Sequence, residues 1–308
     1  MKTELDVAII GGGAGGLSAA LVLCRARRRV AVIDAGQPRN APAAHLHGFL
    51  TRDGTSPADL IDRGRQEVAS YGGHLIDARV LDIDAGDESF RLRLSDDAEL
   101  SARRLLFATG LTDRLPDVEG IEARWGHDVL HCPYCHGYEI ADQPLGVLNA
   151  GPTAVEQAAT IRNWSTDVTL FTNGSRLEAQ ERATLTAIGI EAVTTRVDRL
   201  VITDDALAGL RLANGTLVTR TALFVAMTPI PNDTLLRHLG AATRDHPMGK
   251  FVSTDEQGRT SISGTWAIGN VVDPRAQLIT AAGDGSRAAI SINTDLIAED
   301  IRLAAATH

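Results

Sequence analysis

The stretch that decides the fold is residues 5–16, LDVAIIGGGAGG. Its apolar residues 5–10 predict a buried strand, its glycines predict a tight turn, and residues 14–28 predict a helix that leads to a second strand over 29–34, RVAVID. Together these elements form a βαβ unit. The sequence therefore opens with the pattern of a dinucleotide-binding fold.

The glycines of this turn have the spacing G-x-G-x-x-G. Gly11 allows the tight turn, Gly13 lets the backbone approach a pyrophosphate, and Gly16 permits close packing of helix on strand. The helix N-terminus adds N–H donors, and an acid at the end of the second strand suits a ribose hydroxyl. A structural glycine-rich turn is the alternative. The cofactor contacts expected from this unit are Gly11, Gly13, Ala14, Gly15, Gly16, Asp34 and Ala35.

The same pattern starts again in the middle of the chain. Residues 145–149, LGVLN, predict a strand, residues 151–164 predict a helix, and residues 167–171, DVTLF, predict another strand. A long helix is predicted over residues 277–300, and we expect it to pack on the first unit. The chain thus carries two nucleotide-type units.

We predict an α/β fold with two Rossmann-like, three-layer nucleotide-binding domains, the second inserted in the first. The cofactor domain is placed at residues 1–114 and 246–308, and the inserted domain at residues 115–245. Between the two units, Ser56 and Pro57 predict the start of a helix. Residues 74–107 predict a β-meander with turns at 84–89 and 95–99.

Composition narrows the classes of partner. A net charge of -9 over 308 residues argues against nucleic acid or an anionic membrane surface as the main partner. No apolar run approaches the roughly 20 residues that span a bilayer. The N-terminus carries no secretory pattern, so we expect a cytoplasmic protein without a membrane partner. In that compartment a close cysteine pair is more typical of redox or metal chemistry than of a structural disulfide.

The cysteine pair lies in residues 131–139, HCPYCHGYE. Cys132 and Cys135 have the C-x-x-C spacing, in which a helix N-terminus stabilises one thiolate while the other thiol resolves a mixed disulfide. His136 can accept or deliver a thiol proton at cellular pH. We predict these three residues to be catalytic and predict no metal. The alternatives are a c-type haem attachment site, a strained zinc site that includes His131, and an inert structural pair.

Four pieces of the chain match one family. They are GGGAGG at 11–16, ATG at 108–110, the C-x-x-C within a second βαβ unit, and AIGN…DPRAQLITAAGDG at 267–285. Along essentially its whole length the chain resembles low-molecular-weight thioredoxin reductases. Asn270 departs from the usual Asp, but its amide can still bond a hydroxyl. The resemblance implies FAD, with further contacts from Gln37, Arg39, Asn40, His47, Val80, Ala108, Thr109, Gly110, Gly269, Asn270, Gln277 and Leu278. A polar surface loop is the alternative for the part that follows Asp34.

The nicotinamide site of the reductases looks degenerate in the second unit. In NAGPTA, residues 149–154, Asn149 replaces the first glycine and Pro152 lacks an N–H. TNG follows the second strand where the reductases carry a basic pair, so a 2′-phosphate would lose charge-assisted hydrogen bonds of about 1.5–3 kcal/mol each. Arg176 is the nearest candidate cation. An NADPH-dependent thioredoxin or disulfide reductase, with Arg162 and Arg176 as stand-ins, remains the alternative.

The loop HGFLTRDG at residues 47–54 and a C-P-Y-C-H pair are similar to the dithiol oxidases of natural-product biosynthesis, of the gliotoxin, holomycin and romidepsin type. That resemblance implies an FAD-dependent oxidase that closes a disulfide in a small-molecule dithiol, with O2 reoxidising the flavin to give H2O2. It also implies a homodimer in which Cys135 faces the flavin and Cys132 meets the substrate. A flavin-binding redox sensor without turnover is a third possibility.

Overall fold

The computed structural model describes residues 4–86 and 89–306, and it is a mixed α/β structure. The first and last residues of the chain and two residues of the predicted 84–89 turn, Asp87 and Glu88, lie outside this description. The helices are α1 (Ala14–Arg25), α2 (Pro57–Ser70), α3 (Ile121–Arg124), α4 (Pro133–His136), α5 (Ala154–Ile161), α6 (Ala179–Ala187), α7 (Thr234–His238) and α8 (Leu278–Ala306), with a 3-10 turn at Gly269–Val271.

The strands are, in chain order, β1 (Glu4–Ile10), β2 (Val30–Asp34), β3 (His74–Asp77), β4 (Val80–Ala85), β5 (Phe90–Leu94), β6 (Glu99–Phe107), β7 (Leu111–Arg114), β8 (Val129–Leu130), β9 (Leu145–Leu148), β10 (Val168–Phe171), β11 (Glu191–Val193), β12 (Val197–Thr203), β13 (Ala206–Leu212), β14 (Leu217–Val218), β15 (Ala222–Val225), β16 (Thr228–Pro231), β17 (Thr243–His246), β18 (Gly249–Val252) and β19 (Thr265–Ala267).

The first large sheet has the strand order β3-β2-β1-β6-β5-β4, and β19 pairs with β6. Strands β1, β2, β3, β6 and β19 run parallel, whereas β4, β5 and β6 form an antiparallel meander. The predicted meander over 74–107 is therefore wrong for β3. That strand lies beside β2 because α2 returns the chain across the sheet, as a parallel connection requires.

The second large sheet has the order β11-β10-β9-β15-β8 and is parallel throughout. Its strands lie within residues 129–225, between β6 and β19 of the first sheet. Thus the second unit interrupts the first, as predicted, although the exact boundaries remain a prediction. The short antiparallel pair of β7 and β16 carries both chain crossings between the two units.

Helices α1 and α5 are shorter than the sequence predicts, and α8 extends beyond residue 300 to Ala306. Helix α1 ends at Arg25, short of residue 28, because Arg27 adopts a left-handed conformation with φ 63° and its N–H bonds to the Cys24 carbonyl. Helix α5 begins at Ala154 because the preceding turn contains Pro152. The predicted start of α2 is confirmed, since the Ser56 hydroxyl accepts from the Asp59 N–H at 3.0 Å.

Helix α8 closes the first unit by packing along α1, as expected from its sequence. A Cβ at Gly285 would lie 2.1 Å from the carbonyl oxygen of Gly15, so only glycine allows the two helices to approach this closely. Trp266 is buried beneath α8 and donates to Ser291 at 3.1 Å. Among the described helices none is long and apolar enough to cross a bilayer.

Candidate active site

The first glycine-rich turn has the shape that its spacing predicts. Gly11 has φ 107°, and a Cβ there would lie 2.3 Å from the Ala108 carbonyl oxygen. A Cβ at Gly16 would lie 1.9 Å from the Gly11 carbonyl oxygen, so this glycine serves packing. By contrast, a Cβ at Gly13 would meet nothing within 4 Å. Open space at Gly13, in front of the N-terminus of α1, suits a pyrophosphate.

Asp34 stands where a ribose partner is expected. Its Oδ1 accepts from the Gly12 N–H at 3.1 Å, and its side chain faces the cavity in front of the turn. The second carboxylate oxygen is left for another donor. The fit to a dinucleotide therefore rests on three features of the chain: the space at Gly13, the N–H groups of α1 and this carboxylate.

One continuous cavity of about 1460 Å³ joins the two units. It exceeds the roughly 300–1,000 Å³ of a typical ligand pocket, which leaves room for a dinucleotide and a substrate together. Gly16, Ala35 and Val80 do not line it; Gly16 lies behind the turn, Ala35 is exposed, and Val80 is buried in the first core. The predicted residues that do line it are Gly11, Gly13, Ala14, Gly15, Asp34, Gln37, Arg39, Asn40, His47, Ala108, Thr109, Gly110, Cys132, Cys135, His136, Gly269, Asn270, Gln277 and Leu278.

Arg39 is held by partners that the sequence did not reveal. Its guanidinium makes two hydrogen bonds to the Asp113 carboxylate, at 2.7 and 2.8 Å, and a third to Asn270 Oδ1 at 3.3 Å. The Asn270 amide in turn donates to the carbonyl oxygens of Asp273 and Ala276. Both donor hydrogens of Asn270 are thus engaged within the protein, and only its oxygen has capacity left for a hydroxyl.

Cys132 and Cys135 are free thiols at the start of the four-residue helix α4. Cys132 is the N-cap, although its sulfur makes no capping hydrogen bond with the helix. Hydrogen bonding from the neighbouring Cys135 thiol, with smaller contributions from the N–H groups of Cys135 and Tyr134, stabilises its thiolate form. The hydrogen bond from Cys135, the largest of these effects, outweighs burial and lowers the pKa of Cys132 to about 7. The same bond raises the pKa of Cys135. Cys132 is therefore the thiolate of the pair near neutral pH.

Two histidines flank the cysteines. Burial lowers the pKa of His136, which keeps its ring neutral and able to accept a proton; Glu139 opposes this effect and His47 reinforces it. Burial likewise lowers the pKa of His131, whose Nδ1 lies 3.4 Å from the Val225 carbonyl oxygen. Within residues 4–86 and 89–306 no group of three or more His, Cys, Asp or Glu side chains is arranged to hold a metal ion.

The turn of the second unit is occupied by its own side chains. Asn149 Oδ1 accepts from the Gly151 N–H at 2.8 Å, and Asn149 Nδ2 donates to Gln157 at 2.8 Å. Pro152 has no N–H to offer. The cavity wall here includes the carboxylate of Glu156. With the Gly151 N–H bound internally and no N–H at Pro152, this turn offers a pyrophosphate fewer donors than a glycine-rich turn does.

The structure also shows three carboxylates that sequence reasoning missed, those of Asp53, Asp113 and Glu139. His47 Nδ1 lies 3.2 Å from Asp53 Oδ2, and His47 Nε2 lies 3.4 Å from Glu139 Oε1. Asp53 is part of the HGFLTRDG motif, which could have drawn attention to it. Asp113 and Glu139 carry no comparable signal, because their partners are distant in the sequence.

Comparisons with known proteins agree with this geometry. The model of the pyridine nucleotide-disulphide oxidoreductase family matches residues 5–285. The crystal structure of HlmI has 48% sequence identity and a TM-score of 0.95, and the match covers 100% of this chain and 97% of that chain. Thioredoxin reductase aclD of Aspergillus oryzae is 29% identical over 305 residues, which cover 94% of this chain and 96% of that protein. A probable thioredoxin reductase of Arthroderma benhamiae is 32% identical over 183 residues, which span 57% of this chain and only 45% of that protein.

Proposed function

The chain belongs to the pyridine nucleotide-disulphide oxidoreductase family and is a thioredoxin-reductase-like oxidoreductase, and we propose that it oxidises a small-molecule dithiol to its disulfide with FAD as cofactor and O2 as electron acceptor. One observation carries this proposal. Cys132 and Cys135 line the same cavity as the first glycine-rich turn, while in the second turn the Gly151 N–H is bound to the Asn149 side chain. These two observations support a dinucleotide site beside the thiols and do not support a second one at the turn of residues 149–154.

FAD suits the first turn because Gly13 leaves open space, the N-terminus of α1 offers N–H groups, and the Asp34 carboxylate can bind a ribose hydroxyl. When bound, FAD supplies a two-electron acceptor that takes the electrons of the cysteine dithiol and passes them to O2, giving H2O2. Asn270 and Gln277, which line the same cavity as the cysteines, would help to hold the flavin.

The cysteines exchange disulfides with the substrate in our proposal. A substrate thiolate attacks the sulfur of Cys132 in the Cys132–Cys135 disulfide, and Cys135 leaves as a thiolate. The second substrate thiol then attacks the substrate sulfur of the mixed disulfide, which closes the product disulfide and releases Cys132. A pKa of about 7 makes Cys132 a good leaving group in this second step. His136, neutral because burial lowers its pKa, accepts the thiol proton at a ring nitrogen.

An NADPH-dependent thioredoxin or disulfide reductase is the alternative, and the contacts of its two candidate cations do not favour it. Arg162 donates to the carbonyl oxygens of Ile188 and Ser165, and Arg176 is exposed. Neither arginine lines the cavity. Neither of these two guanidinium groups is therefore directed into the cavity where a 2′-phosphate would bind.

We also propose a homodimer in the cytoplasm, with no nucleic-acid or membrane partner. Helix α8 carries Ile290, Ile297 and Ile301 on one face, and these side chains are 59%, 45% and 64% exposed. A stripe of large apolar side chains on one helix is typical of a protein interface. Size-exclusion chromatography with light scattering tests the dimer.

Purified protein mixed with a small dithiol in air tests the proposed function. We expect stoichiometric disulfide and H2O2 without NADPH, and loss of both in Cys132→Ser and Cys135→Ser. Turnover that begins only after NADPH is added would contradict the proposal and support the reductase.

A further inference from the structure

The loop of residues 47–54 is closed by its own backbone and by one carboxylate. The Gly54 N–H donates to the Leu46 carbonyl at 2.9 Å, and the Gly48 N–H donates to Asp53 Oδ1 at 2.9 Å. Hydrogen bonds from Gly48, first, and from His47 lower the pKa of Asp53, so it is a carboxylate at neutral pH. The loop is complete with these bonds and needs no partner from elsewhere.

His47 nevertheless reaches out of this loop. Its Nδ1 lies 3.2 Å from Asp53 Oδ2, and its Nε2 lies 3.4 Å from Glu139 Oε1. The His47 side chain is 20% exposed, whereas the Asp53 and Glu139 side chains are 66% and 45% exposed, so the ring is the partly buried member of both contacts. Glu139 belongs to the redox segment, which we define as residues 131–139. The imidazole therefore joins the unit that carries the first glycine-rich turn to the segment that carries the cysteines.

The chemistry of imidazole makes this bridge a specific one. A neutral ring has one N–H and can donate to one carboxylate only, whereas an imidazolium donates from both nitrogens. The two nitrogens of His47 face one carboxylate each, Asp53 on the Nδ1 side and Glu139 on the Nε2 side, and Asp53 is fixed by the loop.

Glu139 transmits this contact to the reacting groups. It follows His136 by three residues in the turn after α4, and its charge and that of His47 both act on His136. Glu139 itself does not line the cavity. A bond to Glu139 adds nothing to the closure of the 47–54 loop, so its effect falls on the redox segment.

We propose that His47 is a positioning residue, which through Glu139 ties the redox segment to the 47–54 loop and so holds Cys132 and Cys135 in reach of the cofactor. The proposal rests on the proposed function for its effect on turnover. It assigns Glu139 a positioning role although this side chain does not line the cavity.

A double-mutant cycle tests the bridge with His47→Asn, Glu139→Gln and the double variant. Asp142→Asn is the matched control, because Asp142 is an exposed carboxylate shortly after the redox segment, and asparagine tolerates its φ of 62°. The first measurement is the rate of flavin bleaching by anaerobic dithiothreitol at increasing concentration. The second is the rate at which iodoacetamide alkylates the cysteine pair in prereduced protein.

We expect the limiting bleaching rate to fall at least about tenfold in each single variant, with the half-saturating dithiol concentration unchanged, because the thiols are misplaced rather than altered. The double variant should be no slower than the slower single variant, since both changes break one contact. Alkylation should become several-fold faster in Glu139→Gln and remain as in the wild type in Asp142→Asn.

Additive losses, or a Glu139→Gln protein with wild-type bleaching and alkylation, would overturn the bridge. Because Glu139→Gln leaves the 47–54 loop intact, this variant still tests the bridge if His47→Asn loses its flavin. If dithiothreitol fails to bleach the wild-type flavin, the proposed function fails, and the alkylation rates still decide whether His47 positions the redox segment.

Discussion

Replacing Cys135 by alanine should raise the pKa of Cys132 and slow its reactions at neutral pH. The hydrogen bond from the Cys135 thiol is the largest cause of the drop in the pKa of Cys132 from 9.0 to about 7. That drop corresponds to about 2.7 kcal/mol of preferential stabilisation of the thiolate. At pH 7.5 a thiol with a pKa of about 7 is roughly three-quarters ionised, against a few per cent for a pKa near 9.

Alkylation of the reduced protein by iodoacetamide, followed from pH 5 to 10, measures this directly. In the wild type we expect the rate to rise with pH, reach half its plateau at about pH 7 and then level off, because only the thiolate reacts. In Cys135→Ala the midpoint should move up by at least one pH unit. Cys135→Ser keeps a hydroxyl donor and should retain most of the effect. An unchanged midpoint in Cys135→Ala would refute the assignment of the low pKa to the paired thiol.

Three further outcomes follow from the geometry. Gly13→Ala should leave the melting temperature of the apoprotein unchanged but abolish FAD binding, because the added Cβ enters the open space in which the pyrophosphate would lie. Gly16→Ala should instead lower the melting temperature, since its Cβ would lie 1.9 Å from a carbonyl oxygen. Thermal unfolding and flavin absorbance distinguish these two effects. Asp113→Asn should lower the free energy of unfolding by about 3 kcal/mol in urea titrations, because it leaves the partly buried Arg39 without its carboxylate. His136→Asn should slow dithiol turnover roughly 100-fold at pH 7 in a peroxide assay, while iodoacetamide still labels the thiols.

The sequence predicted the features that depend on local backbone geometry. Gly16 packs against Gly11 and the φ of 107° at Gly11 shapes the turn itself, so the glycine spacing alone indicated the turn and its helix, whereas the close approach of Gly11 to Ala108 did not show in the pattern. Asp34 was found because a parallel strand pair fixes where its strand ends. The cysteine pair was found because C-x-x-C spacing places an N-cap sulfur on a helix turn.

Contacts between distant residues were not accessible from the pattern. Arg39 was expected to touch the flavin, yet its guanidinium is bound to Asp113, a pairing that depends on how β7 lies against the loop after β2. His47 was expected as a flavin contact too, and the structure adds its bridge to Glu139. Likewise the pattern does not show that β3 lies outside the meander, because its partner is the parallel β2, which α2 separates from it in the sequence.

The central claim is that electrons enter the bound flavin from a dithiol through Cys132 and Cys135. Anaerobic rapid mixing of the yellow protein with dithiothreitol, and separately with NADPH, measures the bleaching of the flavin absorbance and tests this claim most directly. We predict that the dithiol bleaches the flavin in the wild type but not in Cys135→Ser, and that NADPH leaves it oxidised. Rapid bleaching by NADPH, or bleaching by the dithiol without the cysteines, would contradict the account.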